Sequence, residues 1–169
     1  IITPKAQTTR HRILGILNAE EYQLVLSDTP GVITPSYEMQ SSMMDFVKTA
    51  LEDADVLIYM LEVGETKMKD PKLFEKIQRL SIPVLVLINK IDTTDQTALI
   101  ASVEHWQGLF PRAKVFPISA KTGFSVQEVL EHLISLLPFS PPYFPKDQMT
   151  DKSERFFVNE AIREQILQH

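Results

Sequence analysis

Two short apolar runs, Arg12–Leu17 and Tyr22–Ser27, flank the polar stretch Asn18-Ala19-Glu20-Glu21, and that spacing predicts an antiparallel hairpin. Between Ser42 and Leu51, the residues Met43, Phe46, Val47 and Leu51 recur at helical spacing and predict an amphipathic helix. Asp55–Leu61 and Pro83–Ile88 are almost wholly apolar and rich in Val, Leu and Ile, the pattern of strands buried on both faces. Asp70–Leu80, between them, predicts a helix with Pro71 at its first position, where a missing N–H costs nothing. A further helix is expected over Asp95–Leu109 and a short strand over Lys114–Ile118. Ser125, with Glu128 three residues on, forms a capping box ahead of Val129, Leu130, Leu133, Ile134 and Leu137. From Asp55 onward strands alternate with helices, which specifies βαβ units and an α/β fold built on a mostly parallel sheet.

The pattern changes at Pro138. Four prolines (Pro138, Pro141, Pro142 and Pro145) exclude a helix or a central strand, so residues 138–152 are expected to form a semi-rigid linker after a domain spanning 1–137. Ser153 then starts a last helix, 153–169, whose wide apolar face (Phe156, Phe157, Val158, Ile162, Ile166, Leu167) calls for a partner surface.

Composition narrows the classes. The 169 residues suffice to bury a good core. A net charge of −5 argues against a free-standing basic nucleic-acid binder, and the solvated Lys67, Lys69, Lys72 and Lys76 do not form a basic stripe. The chain has no cysteine, which excludes disulfides and thiolate metal sites. No apolar run approaches the roughly 20 residues of a membrane span, and residues 1–30 carry no signal-peptide pattern. A cytoplasmic location is the expectation.

Three short motifs follow strand-like runs in fixed order: Asp28-Thr29-Pro30-Gly31, Asn89-Lys90-Ile91-Asp92 and Ser119-Ala120-Lys121. The carboxyl ends of strands are where a parallel sheet presents its ligand loops. A carboxylate at Asp92 can accept two parallel hydrogen bonds from the N1–H and exocyclic amine of guanine, a donor pair that adenine lacks. Asn89 can brace that loop and reach the N7 side, while the aliphatic stem of Lys90 can cover the base face with its charge solvated. Backbone N–H groups of Ser119, Ala120 and Lys121 can bind the guanine O6. Asp28 can hold a Mg²⁺ water, Thr29 and Pro30 shape the turn, and Gly31 can point its N–H at a γ-phosphate. Upstream, Thr9, with Thr8 as the alternative, can complete a Mg²⁺ shell and sense the γ-phosphate. His11 is a basic loop residue with no acid partner visible in the sequence. Thr9 and Gly31 are thus the candidate catalytic residues, and Thr9 and Asp28 the candidate metal ligands, of a site for GTP or GDP.

These residues, together with Thr8-Thr9-Arg10-His11-Arg12-Ile13 before the hairpin, resemble the translation-factor-related GTPases of the Era, EngA and TrmE group. Lys5 to Ile16 and the tail Asp151–Phe157 with Glu160–Glu164 resemble the bacterial Era family within it. The resemblance covers essentially the whole chain. It implies a P-loop NTPase-like (Ras-like) fold and a GTP-hydrolysing switch that binds 16S rRNA and the small ribosomal subunit during its maturation. It also implies a monomer, peripheral attachment to the cytoplasmic face of the inner membrane, and 153–169 as the first helix of an RNA-binding KH domain. Val32 stands where Ras-type proteins carry a water-orienting Gln, so slow hydrolysis is expected, stimulated by K⁺, an activator or a ribosomal partner.

The five glycines (Gly15, Gly31, Gly64, Gly108, Gly123) do not compose a G-x-x-x-x-G-K-[ST] phosphate loop, nor the Gly-x-x-Gly of a KH domain. The expectation is a G domain lacking its first strand and phosphate loop. Charge-assisted hydrogen bonds are worth roughly 1.5–3 kcal/mol each, so losing three weakens GTP binding by about 4 kcal/mol, roughly a thousandfold. The class-different alternative is a nucleotide-free, non-enzymatic RNA- or protein-binding module. Against it stands Asp92, since a scaffold has no use for a guanine reader.

Overall fold

The computed structural model describes residues 12–30, 47, 49–68 and 70–168. They fall into two compact units, one comprising residues up to Asp53 together with Phe139 onward, the other Ala54–Pro138. Thr8, Thr9, His11, Gly31 and Val32, and all of the expected Ser42–Leu51 helix except residue 47 and 49–51, lie outside the described residues.

The first unit is built on the predicted hairpin. Strand β1 (Ile13–Asn18) pairs antiparallel with β2 (Gln23–Asp28), Ile13 opposite Asp28 and Asn18 opposite Gln23. The turn closes with Ala19 N–H donating to the Tyr22 carbonyl at 2.9 Å. Arg12 fixes the hairpin's open end, donating to Ser27 Oγ and to Asp53 Oδ2, each at 2.7 Å. Asp53 ends a helical stretch in which Val47 and Leu51 are buried.

The proline-rich segment forms the second half of this unit. Prolines cannot donate to a ladder, and side chains do most of the fastening. Gln23 donates to the Phe144 carbonyl (2.8 Å) and accepts the Phe144 N–H (3.0 Å), while Asn18 donates to the Gln148 carbonyl (2.9 Å). Ile16 N–H donates to the Met149 carbonyl, Gly15 and Thr150 form an antiparallel bridge, and Leu14 N–H donates to Asp151 Oδ1. The segment thus covers an edge of β1 that would otherwise present unpaired backbone groups. Helix α4 (Glu154–Gln168) follows, with Val158, Ile162 and Ile166 exposed.

In the second unit β3 (Leu57–Glu62), β4 (Val84–Asn89) and β5 (Lys114–Pro117) form a parallel sheet in that order. Leu85, Val86, Leu87 and Ile88 of central β4 are all at most 3% exposed, so both faces of the sheet are covered. On one face Leu85, Leu87, Phe116 and Ile118 pack with Val129 and Leu133 of α3 (Val126–Leu136). On the other, Tyr59, opposite Val86 in the register, meets Trp106 and Phe110, and Phe110 meets Phe74 edge-on. Phe74, Trp106 and Phe110 belong to, or directly follow, α1 (Pro71–Gln78) and α2 (Gln96–Leu109), so helices cover both faces as an α/β fold requires. Burial and the charge of Glu65 push the Tyr59 phenol up to about 12, keeping it neutral in this apolar layer.

Helix starts follow the sequence in two of three cases. Asp70 accepts from Lys72 and Leu73 N–H ahead of Pro71, and Asp95 accepts from Ala98 N–H. The expected Ser125 capping box does not form. Ser125 is left-handed (φ 55°) and its hydroxyl caps nothing; its carbonyl instead accepts the Val129 N–H, and Gly123 accepts from Val126. The preceding loop, with Gly123 also at positive φ (80°), delivers the chain from the wrong direction for a side-chain cap.

Candidate functional site

Strands β4 and β5 end side by side, and the loops after them are tied together residue by residue. Asn89, the last residue of β4, accepts two backbone N–H groups on Oδ1: its neighbour Lys90 at 2.8 Å and Ala120 in the other loop at 3.0 Å. Asp92 sits in a 3-10 turn (Ile91–Thr93), and its Oδ1 accepts from Ser119 Oγ at 2.6 Å. Ser119 Oγ in turn accepts the Thr122 N–H at 3.2 Å, and Ile91 N–H donates to the Ile118 carbonyl at 3.3 Å. Ser119 is buried whereas Asp92 is exposed, so a supported carboxylate is presented to solvent.

The electrostatics keep that carboxylate charged. The Ser119 hydroxyl holds Asp92 below its ordinary range, outweighing partial desolvation; its own backbone N–H, Lys121 and Lys90 act in the same direction. A carboxylate that stays ionised is a strong acceptor for paired N–H donors.

Six of the predicted residues (Asn89, Lys90, Asp92, Ser119, Ala120 and Lys121) are therefore gathered at the carboxyl edge of one sheet. Asp28 ends β2 in the other unit and Thr29 and Pro30 follow it, with Asp28 exposed and Pro30 buried. Thr8, Thr9 and Gly31 fall outside the described residues.

One sequence reading needs correction. The Ser119 and Ala120 N–H groups, expected to be open for a guanine O6, are engaged within the protein, Ser119 by the Phe124 carbonyl (3.2 Å) and Ala120 by Asn89. The Lys90 ammonium stays exposed to solvent, as expected, and is in addition paired with Glu62 Oε2 at 2.7 Å. Sequence reasoning passed over Glu62. The available signal was its place at the carboxyl end of an apolar strand, one residue past the run predicted for β3.

Among the described residues no group of three His, Cys, Asp or Glu side chains could hold a metal ion, and no helix is long and apolar enough to cross a membrane. Mg²⁺ does not require such a group, because it is commonly held by one or two carboxylates with waters and substrate phosphates. An exposed Asp28 at a strand end fits that role.

A family model described as a 50S ribosome-binding GTPase matches residues 1–90. The chain belongs to this GTPase family. Within it the chain resembles Era. It is 39% identical to the GTPase Era of Lacticaseibacillus paracasei over 169 residues, covering 99% of this chain and 56% of that protein. It is also 39% identical to the chloroplastic GTPase ERA1 of Zea mays, covering 98% of this chain and 41% of that one. A crystal structure of an Aquifex aeolicus Era variant bound to GDP·AlF4⁻ superposes with a TM-score of 0.89 at 34% identity, over 97% of this chain and 57% of that one. The elongation factor SelB of Methanococcus maripaludis, bound to a GTP analogue, shares the fold at a TM-score of 0.63 and 20% identity, over 83% of this chain and 31% of that one. The fold is thus that of P-loop GTPases, and the chain spans about half the length of the Era proteins it matches.

Proposed function

We propose that this chain carries the guanine-reading part of a GTP-binding, GTP-hydrolysing switch of the Era type. The observation that carries the reading is the pair of loops cross-linked by Asn89–Ala120 and Asp92–Ser119, which holds an exposed, ionised carboxylate at the carboxyl edge of a parallel sheet. Asp92 accepts the guanine N1–H and exocyclic amine, and Asn89 holds the loop that positions it. Asp28, with Thr9, would bind the Mg²⁺ that screens the phosphates. Gly31 and Thr9 would contact the γ-phosphate. An aliphatic Val32 cannot orient water, so turnover is slow and responds to K⁺ or to a ribosomal partner.

The test is a base swap in the full-length protein. Losing two charge-assisted hydrogen bonds costs at least about 3 kcal/mol, roughly a hundredfold in affinity. Asp92→Asn replaces one acceptor by a donor, which suits a base carrying a carbonyl at position 2. GDP affinity is expected to fall by about that factor while xanthosine diphosphate gains. Unchanged preference for GDP over ADP and xanthosine diphosphate in this variant would refute the reading.

We further propose 16S rRNA and the small subunit as the target of the full-length protein. Similarity to GTPase Era supports this, whereas the family description names the 50S subunit. Cosedimentation with separated 30S and 50S subunits in the GTP state decides between them. Attachment to the cytoplasmic face of the inner membrane is proposed on the same resemblance, and vesicle flotation tests it.

A further inference from the structure

We propose that Glu62 is a positioning residue for the base site. It anchors the Lys90 ammonium so that the lysine stem is held ready beside the Asp92 loop, and it thereby sets how long a guanine nucleotide stays bound. The proposal rests on the reading of Asp92 given above and adds a residue to it.

The geometry begins at Lys90. Its backbone is left-handed (φ 64°), which fixes the direction in which the side chain leaves the loop, and its Nζ lies 2.7 Å from Glu62 Oε2. Glu62 is not on a mobile tip. It is the ladder partner of Asn89, and the next residue, Val63, donates its N–H to the Asn89 carbonyl at 3.0 Å. The chain then reverses. Glu65 N–H donates to the Glu62 carbonyl at 3.1 Å across a turn whose third residue, Gly64, has φ +95°. Glu65 Oε1 accepts the Glu62 N–H at 3.2 Å.

The turn is fastened from behind by α2. The indole N–H of Trp106, a side chain with no exposed surface, donates to the Glu65 carbonyl at 2.9 Å. His105 Nε2 lies 2.8 Å from the Thr66 carbonyl. A rigid platform therefore holds the carboxylate that holds the lysine. Lysine loses much rotamer freedom when ordered, and a side chain already anchored loses less of it on binding, which lowers the cost of covering a flat base. Exposed ion pairs contribute modestly, and both side chains here are about half exposed, 55% for Lys90 and 50% for Glu62. The expected effect is accordingly small but measurable.

The experiment uses the full-length protein and a fluorescent GDP, with dissociation followed by stopped flow. Glu62→Gln is expected to speed release about two- to fivefold, and Glu62→Lys, which repels Lys90, about tenfold. Thermal midpoints should stay at the wild-type value, because the carboxylate is exposed. In a Lys90→Met background Glu62→Gln should change nothing further, since its partner is gone; a merely structural role for Glu62 would persist there. If both Glu62 variants release GDP at the wild-type rate while Asp92→Asn loses guanine preference, the assignment of Glu62 is overturned alone. An equal Glu62→Gln effect with and without Lys90 overturns it as well. If Asp92→Asn keeps guanine preference, the guanine reading falls and the role of Glu62 falls with it.

Discussion

At Asp92 a single hydroxyl decides the character of the site. Ser119 Oγ holds the carboxylate in place and lowers its pKa. Since the folded value lies below the ordinary one, the charged state persists as pH falls past the usual carboxylate range and is lost only through the depressed value. Ser119→Ala is expected to raise the Asp92 pKa toward the ordinary value in a carboxyl-detected NMR titration, and to move the acid limb of GDP binding upward with it. An unshifted Asp92 in that variant would assign the depression to Lys121, Lys90 and the backbone instead. The identities of these residues were legible in sequence because each belongs to a motif that follows an apolar run. Their partners were not. Nothing in the order of residues says that Ala120 N–H turns inward to Asn89, or that Glu62, 28 residues before Lys90, closes on its ammonium.

Elements were legible where burial is two-sided or a cap is simple. Strand β4 announced itself through an unbroken Val-Leu-Val-Leu-Ile run, and α1 through Asp70 and Pro71. The start of α3 misled, because a capping box presumes an extended cap residue and Ser125 is left-handed. The aromatic layer was invisible to periodicity, since Tyr59, Phe74 and the Trp106–Phe110 pair come from three separate segments. Trp106 is the element-scale anchor. Trp106→Phe keeps most of the volume but strips the Glu65 carbonyl of its donor, and should cost about 1–3 kcal/mol in urea unfolding. A Cβ at Gly64 would meet nothing within 4 Å, so only its backbone angle opposes a side chain. Gly64→Ala should therefore cost about 1–2 kcal/mol; a neutral result would show that the turn can relax.

For the whole molecule, the hairpin and the parallel sheet were both anticipated, but not that residues 144–151 would fasten to the hairpin. A proline count reads as a linker, and the amide side chains that tether it, Asn18 and Gln23, look like ordinary turn residues. Asp151 is the acidic fastening. Burial pushes its pKa up, but the Lys152 hydrogen bond, the Leu14 N–H and the Lys152 charge outweigh it, and the value ends below the ordinary one. By sign, this fastening is fully present above the ordinary carboxylate pKa and is lost as pH falls through the depressed value. Protection of the Leu14 amide against hydrogen exchange, corrected for the intrinsic pH dependence of exchange, should fall in that acid window and at neutral pH in Asp151→Ala. Protection unchanged in the variant would show that Ile16–Met149 carries the contact by itself.

The left-handed backbone at Lys90 sets stability and function against each other. A non-glycine residue there is strained, and glycine would adopt the same angle without a Cβ penalty. Selection for stability alone would favour glycine at position 90, as at Ser125, the other left-handed non-glycine among the described residues. Ser125→Gly then serves as the control: both replacements should stabilise by up to about 1 kcal/mol, but only Lys90→Gly should weaken nucleotide retention. A protein evolved in the laboratory for heat tolerance, with no demand on binding, would be expected to discard this lysine early.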